Sequence, residues 1–197
     1  MKHLGRKLYH LLGGLGLLSL YYLLGRRNAL FCYAALTVIV LALDLTRLKV
    51  PDLNQFMLTR FRSFMRPSEA NKLTGTPPYL LGIGLTLLCF RTDIATAAIC
   101  FLAFGDVAAT TIGERYGRKK IAGDKSLEGT LAFVAVATAA GLMLTSVGIH
   151  LMPGLIVAGA LVAAGVELLP LPVNDNLLIP LVSGGVMELI ARASGHA

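Results

Sequence analysis

Residues 105–129 read GDVAATTIGERYGRKKIAGDKSLEG, a polar, glycine-punctuated stretch in a chain whose remaining length is dominated by apolar runs. On either side the runs 92–112 and 129–149 are long enough to cross a hydrocarbon layer, so the quoted segment reads as the tail of one span, a basic loop and the start of the next. Asp106 sits inside the apolar run. Arg115, Arg118, Lys119, Lys120 and Lys125 follow, and Glu128 closes the segment. A carboxylate followed by a group of cations suits a polyphosphate and its metal.

Apolar runs of about 20 residues recur along the 197-residue chain. With 55% hydrophobic residues and a mean hydropathy of +0.71, the composition excludes an ordinary soluble domain. The expected fold is all-α, a single polytopic helical bundle covering residues 1–197. Seven transmembrane helices are expected near 8–25, 28–46, 76–90, 92–112, 129–149, 152–169 and 176–193. The N-terminal basic residues precede an apolar run without a small-x-small cleavage site, so that run is expected to be a retained span.

Alternate sides of these spans differ in charge. Fourteen cations fall on one side, in the N-terminus, the 47–75 connection and the 113–128 loop, whereas Arg26, Arg27, Arg91 and Arg192 fall on the other. The cation bias predicts a cytoplasmic N-terminus and, with an odd span count, an external C-terminus. A prokaryotic cytoplasmic membrane is the expected location. The net charge of +7 then reports topology and anionic lipid headgroups, and no nucleic-acid partner is expected. Cys32, Cys89 and Cys100 lack metal-ligand spacing and read as packing residues.

The 47–75 connection carries Leu53, Phe56, Met57, Phe61, Phe64 and Met65 at helical spacing beside Arg60, Arg62 and Arg66. This pattern predicts an amphipathic helix in the headgroup plane, a surface anchor or a gate beside a lipid entry path.

Ionisable residues within spans cost about 2.5–3.5 kcal/mol each at a helix centre and call for a partner or a purpose. Asp106, Thr110 and Gly113 are spaced to share one helical face that points at the basic loop. Asp106 reads either as a metal-holding carboxylate or as half of a structural ion pair. Gly105, Gly113, Gly117, Gly123 and Gly129 would permit close backbone approach to phosphate or a positive φ, although no Walker A run is present. Ser126 is placed to cap the fifth span with Glu128 in its first turn, which is also ordinary helix-start chemistry. Glu167 lies at a helix C-terminus, where the dipole disfavours an anion, so capping does not explain it. Asp175 reads as an N-cap or as a site residue. His10 is either a packing residue or a functional group beside Arg6 and Lys7. Asp44 with Arg47 and Arg91 with Asp93 read as structural pairs at membrane borders, and Glu188 has no sequence-level explanation. Four polar clusters, near Arg6–His10, Lys72–Gly75, Asp106–Glu128 and Glu167–Asn176, all fall on the side that the charge bias makes cytoplasmic.

With these residues in view, the chain resembles the CTP-dependent membrane lipid kinases, the family that includes dolichol kinase, phytol kinase and the fungal-type diacylglycerol kinase. Arg6-Lys7-Leu8-Tyr9-His10 is similar to its opening Arg-Lys-x-x-His. Leu73-Thr74-Gly75 with Tyr79-Leu80-Leu81-Gly82 is similar to its next block. Gly105-Asp106 through Gly113, Gly117-Arg118-Lys119 and Lys125-Ser126-Leu127-Glu128-Gly129 resemble its nucleotide segment, and Glu167, Asp175-Asn176-Leu177 and Pro180 its closing block.

The resemblance implies transfer of the γ-phosphoryl of CTP, with Mg²⁺ or another divalent cation, to the hydroxyl of a membrane lipid alcohol, either diacylglycerol or a polyprenol- or phytol-type alcohol. Asp106, Glu128 and Asp175 are the expected metal ligands. Arg6, Lys7, Thr110, Gly113, Gly117, Arg118, Lys119, Lys120, Lys125 and Ser126 are the expected nucleotide-binding set. Asp106, Glu128, Glu167 and His10 are the catalytic candidates, with Asp106, Glu167 and His10 as possible proton acceptors. Two rivals remain open: a phosphatidate cytidylyltransferase, which releases pyrophosphate, and a small-solute or ion transporter.

Overall fold

The computed structural model describes residues 4–65 and 69–195. Lys2 and Arg66, counted above, lie outside them. Among the described residues the regular structure is helical except for one small hairpin: α1 (Leu4–Lys49), α2 (Pro51–Arg60), α3 (Thr76–Cys89), α4 (Thr92–Cys100), α5 (Asp106–Tyr116), β1 (Lys120–Ala122), β2 (Lys125–Ser126), α6 (Leu127–Met143), α7 (Pro153–Leu168) and α8 (Asp175–Ala193).

A straight helix of 46 residues would be about 69 Å long, more than twice the hydrocarbon thickness. Instead α1 breaks at Gly25, whose φ of 74° suits a residue without Cβ. The Tyr33 hydroxyl donates to the Leu17 carbonyl, and these residues lie equally far on either side of the break. The two arms therefore run back along each other, which realises the expected pair 8–25 and 28–46 as a helical hairpin.

α4, a five-residue π-helical turn over Phe101–Gly105 and α5 follow one another without a break and form the centre of the bundle. Ile94, Ala95, Ala97, Ala98, Ile99, Phe101, Leu102 and Ala103 are fully buried there. Small alanines let α1, α3, α6, α7 and α8 approach closely, the packing that replaces hydrophobic collapse inside lipid. The outer faces stay apolar: Leu23, Leu131, Leu161 and Leu189 are exposed. Apolar on both faces, the bundle is built for a bilayer.

Among the described residues four helices are long and apolar enough to cross a membrane, in the segments Gly5–Lys49, Thr92–Tyr116, Leu127–Val147 and Asp175–Ala193. α3 and α7 are shorter, with 14 and 16 residues. At about 1.5 Å per residue they reach roughly 21 and 24 Å, short of the 30 Å core. Length and composition thus support four crossing segments among the described residues where seven helices are expected, with α3 and α7 falling short.

The in-plane helix is shorter than the 47–75 connection. α2 ends at Arg60, none of its residues is buried, and Phe56, Phe61 and Phe64 are exposed. Behind it, Arg47 is fully buried and gathers the connection: its guanidinium donates to Asp44 (2.7 Å), Asn54 (2.8 Å) and the carbonyls of Glu69 (3.1 Å) and Lys72 (2.6 Å). Asp44 in turn accepts from the Thr74 N–H and hydroxyl, both at 2.7 Å. The Asp44–Arg47 pair, expected as a border pair, is thus the clamp that folds residues 69–74 against the end of α1.

At the opposite end Arg91 pairs with Asp93 at 2.7 Å. Glu188 accepts from Arg192 and from the Arg91 N–H, which gives it the structural role that the sequence did not disclose. The three cysteines are free thiols, with only Cys100 buried.

Candidate active site

The four polar clusters near Arg6–His10, Lys72–Gly75, Asp106–Glu128 and Glu167–Asn176 meet at one end of the bundle. A cavity of about 650 Å³ is lined by Arg6 from α1; Asp106, Ala109, Thr110, Gly113 and Glu114 from α5; Lys120, Asp124, Lys125 and Ser126 from the hairpin; Gly129 and Thr130 from α6; Glu167 from α7; and Asp175 from α8. A second cavity of about 90 Å³ shares Arg6 and Asp175 with it and adds His10, Glu69 and Thr74–Thr76.

The π-helical turn places Asp106. An i→i+5 turn inserts one extra residue, which rotates everything after it on the helix. Asp106 then begins α5 with Thr110 and Gly113 on the same stripe, and all three face the larger cavity as their spacing predicts. The His10 Nδ1 lies 3.9 Å from the Asp106 carboxylate, and Tyr79 fixes the helix beneath by donating to the His10 carbonyl at 2.5 Å.

Of the loop expected over 113–128, residues 113–116 belong to α5 and 120–126 form an antiparallel hairpin, with Lys120 opposite Ser126 and Ala122 opposite Lys125. Gly123 turns it at φ 55°, a conformation that favours glycine. Ser126 caps α6 as expected, accepting the Gly129 N–H at 3.2 Å. Gly117 packs rather than cradles: a Cβ there would lie 2.3 Å from the Gly113 carbonyl and 2.6 Å from the Ser126 hydroxyl. The spacing signal read as phosphate access marks at Gly117 the seam between α5 and the hairpin.

Of the expected nucleotide set, Arg6, Thr110, Gly113, Lys120, Lys125 and Ser126 line the larger cavity. Lys7, Gly117, Arg118 and Lys119 do not. Lys7 is buried and pairs with Glu114 at 2.8 Å, so it stands behind the wall. Glu128 is also outside the lining; its carboxylate accepts the backbone N–H groups of Arg118 and Lys119 at 3.1–3.4 Å and holds the entry to the hairpin. Glu167 is buried and pairs with Lys125, whose ammonium lies 3.9 Å from Asp175. Asn174, not Asp175, is the N-cap of α8, which leaves Asp175 in the first turn facing the cavity.

Two acids escaped the sequence reading. Glu114 follows Thr110 by one helical turn and was legible from that spacing, whereas Asp124 reaches the cavity only because the hairpin folds back. With them, five carboxylates (Asp106, Glu114, Asp124, Glu167 and Asp175) face three lining cations (Arg6, Lys120 and Lys125). An acid excess repels a bare triphosphate and suits one that arrives with a divalent cation. Among the described residues no three His, Cys, Asp or Glu side chains are gathered as a ready metal site. Mg²⁺ in phosphoryl-transfer sites commonly takes one or two carboxylates and completes its shell with phosphate and water, so the cavity-lining carboxylates of Asp106 and Asp175 fit it.

The chain is similar to proteins named CTP-dependent diacylglycerol kinase 1 from three fungi. It is 31% identical to that of Saccharomyces cerevisiae over 136 residues, covering 66% of this chain and 46% of the relative. It is 34% identical to that of Eremothecium gossypii over 134 residues, with 66% and 42% covered. It is 30% identical to that of Schizosaccharomyces pombe over 161 residues, with 75% and 74% covered. The chain thus spans less than half the length of the first two. All three relatives are fungal and lend no support to a prokaryotic location. No family model matches, and no solved structure does. With that similarity running across 66–75% of its length, this chain, an integral membrane protein by its helices, belongs to the CTP-dependent lipid kinase family.

Proposed function

We propose that this protein transfers the γ-phosphoryl group of CTP to the hydroxyl of diacylglycerol at the cytoplasmic face of a membrane. The observation that carries the reading is the junction of the two cavities, where Arg6, His10, Asp106 and Asp175 converge. The relatives' names supply the donor and the acceptor.

The larger cavity takes the nucleotide. Arg6, Lys120 and Lys125 offer charge to the phosphates, and Asp106 with Asp175 would hold the divalent cation. That cation would neutralise charge on the β- and γ-phosphates. Lys125 is already engaged by Glu167 and Asp175, so nucleotide binding exchanges one anionic partner of the ammonium for another. Glu128 acts as a positioning residue through the backbone of Arg118 and Lys119.

In the transfer the lipid hydroxyl oxygen forms a bond to the γ-phosphorus while the β–γ bridging bond breaks. CDP leaves with the bonding electrons, and the hydroxyl proton passes to Asp106, Glu167 or His10. The two arms of α1, together with α3 to α8, give seven crossings with the N-terminus cytoplasmic. The short α3 and α7 suit a site sunk below the headgroups, so the acceptor's tails stay in hydrocarbon.

Purified protein in mixed micelles, given γ-labelled CTP or ATP and a panel of diacylglycerol, polyprenol, phytol and farnesol, tests donor and acceptor together. Labelled phosphatidate with CDP is expected. Pyrophosphate with a CDP-lipid would make the protein a cytidylyltransferase, and nucleotide-independent solute flux in proteoliposomes a transporter.

A further inference from the structure

The smaller cavity has a lining unlike that of the larger one. We infer that it seats the glycerol backbone of the acceptor and selects a diacyl ester over a simple long-chain alcohol, an inference that rests on the kinase reading above.

Its size points away from the nucleotide. At about 90 Å³ it is too small for a nucleoside triphosphate, for which the neighbouring cavity of about 650 Å³ has room. Its walls are of two kinds. Tyr9, Phe64 and Met65 form an apolar side, and Phe64, 49% exposed, belongs to the aromatic end of the segment after α2. Thr76, Asn176 and Glu69 form a polar side. A headgroup whose tails stay in lipid meets this order of surfaces, apolar first and polar within.

The polar side matches an ester-bearing alcohol. The Thr76 hydroxyl accepts from Tyr9 at 3.3 Å, and among the described residues its own proton has no acceptor. The Asn176 amide spends one N–H on the Gly75 carbonyl at 3.3 Å and keeps a second N–H and its carbonyl oxygen. Donors of this kind suit ester carbonyls. Phytol or a polyprenol carries one hydroxyl and no ester, so it would leave those donors unpaired, and sites built to hydrogen-bond a group discriminate strongly against its absence.

Position completes the case. The cavity is also lined by His10, whose ring lies 3.9 Å from Asp106, and it shares Arg6 and Asp175 with the nucleotide cavity. A free hydroxyl at that junction faces the terminal phosphate. The wall cannot drift, because Glu69 accepts the Gly75 N–H at 3.0 Å and the Arg47 clamp holds the Glu69 and Lys72 carbonyls.

The test is a steady-state comparison of dioleoylglycerol and phytol in mixed micelles, using wild type, Thr76→Val and Thr76→Ser. Wild type should prefer dioleoylglycerol. Thr76→Val should raise the KM for dioleoylglycerol roughly three- to tenfold, the loss of about one neutral hydrogen bond, with the KM for CTP unchanged. Thr76→Ser should restore it. The unchanged CTP KM shows that the variant is folded. Equal use of phytol by wild type, or a Thr76→Val effect that falls on CTP or is absent, overturns this inference alone. Wild type that phosphorylates no lipid overturns the kinase reading and this inference together.

Discussion

Replacing Arg47 by Met probes the joint between the membrane bundle and the substrate end. The guanidinium is fully buried and makes four hydrogen bonds, one to the 3%-exposed Asp44 and two to carbonyls of the 69–74 connection. Charged hydrogen bonds are worth about 1.5–3 kcal/mol each, so simple summation gives more than 6 kcal/mol. That sum overshoots, because Asp44 keeps the Thr74 N–H and hydroxyl and the freed carbonyls belong to the half-buried Glu69 and the exposed Lys72. The loss of one partner from a buried ion pair, about 3–5 kcal/mol, is the better figure. In detergent micelles, thermal unfolding followed by circular dichroism should show a fall in Tm of roughly 6–20 °C, at 2–4 °C per kcal/mol for a chain of this size. Asp44→Asn combined with Arg47→Met should cost at least about 1 kcal/mol less than the two single changes added, since the stranded charge is gone. Because the clamp holds the wall of the smaller cavity, lipid KM should rise before CTP KM does. Arg47→Met with a stability loss under about 1 kcal/mol, or strict additivity in the double variant, would refute the clamp.

Gly117→Ala should destabilise the protein by about 1–3 kcal/mol, because the added methyl meets the Gly113 backbone carbonyl at 2.3 Å; chemical denaturation measures it, and a neutral effect would mean that the seam is loose. Chelation of divalent metal should abolish nucleotide binding as well as turnover, given five carboxylates against three cations in the larger cavity; equilibrium dialysis of labelled CTP with and without chelator measures it, and undiminished binding would remove the metal from the scheme.

The helices were legible because apolar runs near span length have few alternatives in lipid, and the sidedness of Lys and Arg gathered the polar clusters at one end before any geometry was known. The stripe Asp106, Thr110, Gly113 was readable from helical spacing alone. The π-helical turn ahead of it was not, because Phe101–Gly105 is apolar throughout and one extra residue leaves hydropathy unchanged. The hairpin over 120–126 is not legible, since strands of three and two residues carry too short a pattern to distinguish from loop. Glu128 looked like a site residue from its place in the motif, and its commitment to the Arg118 and Lys119 backbone is a tertiary fact that local spacing does not encode. Arg47 shows the same limit: a neighbouring Asp44 predicts a pair, but only the fold brings Asn54 and two carbonyls to it.

The most direct test of the central claim, that Asp106 stands where a metal–nucleotide complex meets a lipid hydroxyl, is to follow γ-label from CTP with purified wild type and Asp106→Asn side by side. Wild type should yield labelled phosphatidate and CDP, and Asp106→Asn, folded by its unchanged melting profile, should lose at least about 100-fold in turnover. Near-normal labelling of lipid by Asp106→Asn would contradict it.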